Sequence, residues 1–141
     1  MRKFIGALAG IVVGILVQGG IGYVSSLVYP QPAIDMRNRQ QVAESFANAS
    51  TGTLLFYLAS FFAAALLGAW VARLIAHSKA IGWVAAGVMA LMALVIAIFY
   101  PEPAWAQFGA FGAALLGGLI GCHLPAGTEP VAAMTTDADA A

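Results

Sequence analysis

The sequence predicts an all-α, polytopic membrane protein with four transmembrane helices in an antiparallel bundle. Three observations predict it. Apolar residues make up 62% of the 141 residues and charged residues only 9%, against roughly 45–50% and 25% in ordinary soluble domains. The apolar residues gather in four stretches, residues 4–28, 53–76, 80–100 and 104–122, each near the ~20 residues that carry a helix through a ~30 Å hydrocarbon core. Residues 61–71 and 84–99 hold no charge on any side, and an all-round apolar helix needs lipid or a very large protein around it.

The first stretch opens with Met1-Arg2-Lys3, like a secretory signal. Its apolar run continues well past the ~7–15 residues of a signal core and shows no small-residue cleavage site before it has crossed a membrane. We read it as an uncleaved first span. Pro30-Gln31-Pro32 then ends the helix, because proline restricts the residue before it and cannot donate to a helix. In the long first loop, Asp35 is expected to cap a short amphipathic helix starting near Met36, with Val42, Ala43, Phe46 and Ala47 on its apolar side and Arg37, Arg39 and Glu44 in water. Such a helix suits a membrane surface, and a plain solvated loop is the alternative.

His77-Ser78-Lys79 and Pro101-Glu102-Pro103 are tight connections, which make the last three spans antiparallel neighbours. Residues 125–141 lack periodicity and are rich in Ala, Thr and Asp, the composition of a disordered tail. Arg2, Lys3, Arg73 and Lys79 fall on one side of the membrane and Arg37 and Arg39 on the other. The excess places both termini in the cytoplasm. Trp70 and Trp83 mark the cytoplasmic boundary; Tyr29, Tyr57, Tyr100 and Trp105 mark the outer one, since such rings favour the headgroup level.

Small residues recur every fourth position. Gly6, Gly10, Gly14, Gln18, Gly22 and Ser26 mark the first span; Ser60, Ala64, Gly68 and Ala72 the second; Gly82, Ala86 and Ala90 the third; Gly109, Ala113, Gly117 and Gly121 the fourth. In lipid, close backbone approach through small side chains replaces the hydrophobic effect as the force between helices. This glycine-zipper spacing drifts about 40° per step around a helix, which suits a right-handed crossing. Helix packing is therefore expected at Gly6, Gly10, Gly14, Gln18, Gly22, Gly68, Gly109, Gly117 and Gly121. Packing within the chain is the plainer use of these stripes; a face for another copy or another membrane protein is the sharper one.

The polar residues are few. Gln18 sits on the glycine stripe at mid-span, where its amide is expected to bond a carbonyl or hydroxyl of a neighbouring helix; lining a permeation path is the alternative. No Asp, Glu, Lys or Arg lies at mid-depth, and a proton-coupled exporter needs one. Arg73 is expected to snorkel to the headgroups. His77, Cys122 and His123 are zinc-compatible ligand types but come from two loops without metal-site spacing, so no metal and no cofactor are expected. Ser25, Ser26 and Ser60 have no sequence partner to activate them, so no catalytic residue is expected. Asn48-Ala49-Ser50 fits the glycosylation acceptor pattern, a frequent chance match. Zero net charge leaves no basic face for nucleic acid.

Tyr29-Pro30-Gln31-Pro32, Gly68-Ala69-Trp70-Val71-Ala72-Arg73 and Tyr100-Pro101-Glu102-Pro103-Ala104-Trp105 resemble a loose group of uncharacterised bacterial four-helix membrane proteins. In that group a histidine often precedes the proline-x-tryptophan turn; here Tyr100 stands in that region, with one residue more. The resemblance covers residues 1 to about 122 and implies a four-span topology and a bacterial inner membrane. It implies no activity.

The expected function is non-enzymatic: a self-assembling or accessory component that acts by helix–helix association. Its expected partners are the lipid bilayer and a second copy or another membrane protein. The alternative is a small oligomeric channel or transporter for an uncharged or weakly polar solute, which would need a more polar lining than Gln18, Ser60 and a few hydroxyls supply.

Overall fold

The computed structural model describes residues 1–30, 37–99 and 103–125, with Arg39 and Phe46 described by their backbone alone. They form five helices: α1 (Arg2–Val28), α2 (Arg39–Ala47), α3 (Thr51–Ala76), α4 (Lys79–Phe99) and α5 (Ala104–His123). No strand occurs among the described residues. Helices α1, α3, α4 and α5 are each long and apolar enough to cross a membrane. Asp35, Met36, Tyr100, Glu102 and the tail from residue 126 lie outside the described residues.

Local signals explain the helix ends. Helix α2 starts later than the sequence suggested. Asn38 faces its first turn, with Oδ1 accepting from the N–H groups of Gln40 at 3.1 Å and Gln41 at 3.4 Å. Asn is as good an N-cap as Asp, and it lies next to the first turn. Ser50 caps α3 by accepting from the Thr53 N–H at 3.2 Å. That helix ends at His77, which takes a left-handed conformation, φ 51° and ψ 33°, the usual C-terminal device of a helix that must reverse at once. Lys79 belongs to α4, so His77 and Ser78 alone join the two helices.

The interior is built from small side chains. Phe61, Ala64 and Ala65 of α3, Met89, Ala90 and Ala93 of α4, and Ala110 and Ala114 of α5 form the core, with Ile11 and Val17 of α1 packed on it. The large residues point outward: Leu16, Leu27, Ile98 and Phe108 are all exposed. A water-soluble fold does the reverse. Leucine gains nothing by leaving lipid for a protein interior, whereas alanine and glycine let helix backbones close up.

Helices α3 and α4 touch each other, and both touch α1 and α5; α1 and α5 do not meet among the described residues. Numbers that rise along α1 fall along α3: Gly6 meets Ala72 and Ala76, Gly10 meets Gly68 and Ala72, and Gly14 meets Ala64. Between α4 and α5, likewise, Ala86 meets Gly118 and Gly82 meets Cys122.

Tyr57 packs edge-on against Phe61, with ring centroids 5.1 Å apart, and its hydroxyl is buried. Tyr29 stacks edge-on with Phe56 at 6.1 Å and stands over Gly52, bracing the end of α1 on the start of α3.

Candidate functional site

The most densely built part of the molecule is its set of glycine contacts. Along α1, a Cβ placed on Gly6 would stand 2.8 Å from Ala76 Cβ and 2.9 Å from the Ala72 carbonyl. One on Gly10 would run into the Gly68 carbonyl, and one on Gly14 would meet Met89 Sδ at 3.0 Å and the Ala64 carbonyl at 3.2 Å. Gly6, Gly10 and Gly14 are buried. Carbonyl oxygens so close to glycine Cα atoms make weak Cα–H···O contacts, available only where no side chain intervenes.

Helix α5 is seated the same way. Gly117 lies on the Phe62 carbonyl and Gly121 on the Leu66 carbonyl. Gly109 meets only the tip of a side chain, with Leu58 Cδ2 2.8 Å from its Cβ position, so that contact is soft. Gly118, outside the expected stripes, sits on Ala86, and a Cβ placed on Gly82, a member of the third stripe, would stand 2.8 Å from Cys122 Sγ and 3.0 Å from the Ala69 carbonyl. Gly118 is one position from Gly117, and the four-residue register hid it; α5 touches two helices and needs two small faces.

Gly22 makes no such contact inside the chain: among the described residues nothing lies within 4 Å of its Cβ position, and the same holds for Gly19 and Gly20. Four steps of about 40° carry Gly22 roughly 160° around α1 from Gly6. The stripe has therefore turned off the face of α1 that meets α3.

Gln18 also departs from expectation. Its Oε1 is buried and has no hydrogen-bond partner among the described residues. Extending the α1–α3 register by one step puts it level with Ser60. That hydroxyl donates instead to the Tyr57 carbonyl of its own helix at 2.7 Å, a common way for a helical serine to satisfy itself. Helix interiors offer no spare N–H, so the amide oxygen is stranded.

Basic side chains hold one end of the molecule together. Arg73 Nη1 donates to the Cys122 carbonyl at 2.8 Å and to the Leu124 carbonyl, capping the last turn of α5, where free carbonyls and the helix dipole attract a cation. Arg2 Nε donates to the Ile75 carbonyl at 3.1 Å, and Arg2 Nη2 to His77 Nε2 at 2.7 Å; the ring nitrogen must accept, because a guanidinium only donates. His123 Nδ1 donates back to the Leu119 carbonyl at 2.8 Å. Trp70 Nε1 donates to the Pro125 carbonyl at 3.4 Å.

Cys122 is fully buried between α3, α4 and α5. His77, Cys122 and His123 thus face different partners, and no cluster of three metal-ligating side chains occurs among the described residues. Compared with models of protein families, with curated proteins and with solved structures, the chain matches none.

Proposed function

We propose that this chain is a four-span, antiparallel membrane bundle that works by helix–helix association, without catalysis, as a self-assembling or accessory component. It belongs to a bacterial inner membrane, with both termini and His77 in the cytoplasm and α2 lying along the outer surface. The cytoplasmic side is the one bearing Arg2, Lys3, Arg73 and Lys79, as the excess of basic residues requires.

The observation that carries the associative role is the division of labour along α1. Its first half uses Gly6, Gly10 and Gly14 inside the molecule; its second half leaves Gly19, Gly20 and Gly22 with open space before them. A glycine in a helix facing lipid weakens the helix and packs nothing, whereas glycine facing another helix permits close contact. The occupant is a second copy or another membrane protein. A solute path has less support, because Ser60 is turned onto its own backbone and Gln18 stands alone.

The test is disulfide trapping in native membranes. In a Cys122→Ala background, Gly19→Cys and Gly22→Cys should form a covalent adduct on mild oxidation, while Phe108→Cys on α5 should not. No adduct at either α1 position would overturn association with a second copy through this face.

A further inference from the structure

We infer that the end of the molecule formed by the start of α1, the α3–α4 connection and the end of α5 is a docking surface for anionic phospholipid headgroups. Arg2, Lys3, Arg73, His77, Lys79 and His123 converge there, because Arg2 reaches Ile75 and His77 while Arg73 reaches Cys122 and Leu124. All but Arg73 are exposed. The six acidic residues of the chain are Asp35, Glu44, Glu102, Glu129, Asp137 and Asp139, and none falls in α1, α3, α4 or α5.

Helix dipoles do not offset this charge. Two N-termini, of α1 and α4, and two C-termini, of α3 and α5, meet at this end, so their opposite partial charges cancel. Arg73 and Arg2 are already committed to the carbonyls of α5 and α3. Lys3 and Lys79 have no ion pair or hydrogen bond from their side chains among the described residues, and both are exposed. They are the groups left to meet a phosphate.

The partner follows from that chemistry. A cationic rim at the end of four apolar spans stands at headgroup depth, where the phosphates are. The site rests on the spanning arrangement proposed above. Each cation near an anionic bilayer surface favours binding about fivefold.

The experiment measures phosphatidylglycerol retained against phosphatidylcholine when the full chain is purified from vesicles holding both. Wild type should retain phosphatidylglycerol in excess. Lys3→Gln with Lys79→Gln should lower that preference about thirtyfold, with unfolding unchanged in neutral detergent. An unselective wild type would overturn the inference. So would a preference that appears only once Glu129, Asp137 and Asp139 are changed to Gln and Asn, since that would assign the surface to the chain's own tail. Release of the wild type from membranes by alkaline carbonate would instead defeat the spanning arrangement, and the docking surface with it.

Discussion

Gly10 and Gly68 exclude each other's side chains: a Cβ on Gly68 would stand 2.8 Å from the Gly10 carbonyl oxygen, and one on Gly10 would run into the Gly68 carbonyl. Both obstacles are backbone and cannot rotate aside. Gly10→Ala should therefore cost about 1–3 kcal/mol, the usual range for overpacking, and Gly10→Leu should prevent α1 from docking. Gly22→Ala should do the opposite and stabilise by up to about 1 kcal/mol through helix propensity. Thermal or denaturant unfolding in detergent compares them, and equal loss in Gly10→Ala and Gly22→Ala would refute the crossing geometry.

Gln18→Leu should leave stability unchanged or raise it. The change removes a buried carbonyl oxygen that has no donor, and such an orphan costs about 1–3 kcal/mol. The same unfolding measurement decides. A loss above about 1 kcal/mol would mean that the amide makes a bond the fold depends on.

Arg73→Gln should loosen the end of α5. A charged donor on helix-end carbonyls contributes about 1.5–3 kcal/mol, and glutamine is too short to span from α3 to Leu124. Amide hydrogen exchange at Ile120–Leu124 should quicken in Arg73→Gln while exchange in α1 stays as before. Uniform quickening would assign Arg73 a global role.

Orientation requires an introduced thiol, because Cys122 is fully buried and a poor probe. In a Cys122→Ala background, an impermeant maleimide added to intact cells should label Asn48→Cys and spare Ser78→Cys until the membrane is opened. The reverse pattern would invert the topology.

Much of the fold was legible because lipid-facing helices announce themselves by length and charge depletion. The apolar stretches matched the ends of α1, α3, α4 and α5 to within two residues. Contacts within the chain were legible along most of the stripes: Gly6, Gly10 and Gly14, like Gly117 and Gly121, meet a neighbouring helix, whereas by Gly22 the stripe has turned off α3, and no local pattern says where along a stripe that happens. The bonds from Arg73 to α5 were hidden for a related reason: only the position of α5 brings its last carbonyls within reach of that long side chain. The Gly82–Cys122 contact carried a faint signal, a small residue opposite a mid-sized one near two helix ends, which needs the pairing of α4 with α5 to be visible.

The pairing of α1 with α3, across the first loop and α2, has a consequence in time. Ribosomes add about 5–20 residues per second, and roughly sixty residues separate Gly10 from Gly68 in synthesis. In the spanning arrangement proposed above, the nascent first span spends several seconds in the translocon or the bilayer with its glycine face uncovered, before the helix that closes over it exists. During that interval any small-faced helix nearby is a competitor. The chain's yield is set by how quickly α3 arrives as well as by how tightly it fits.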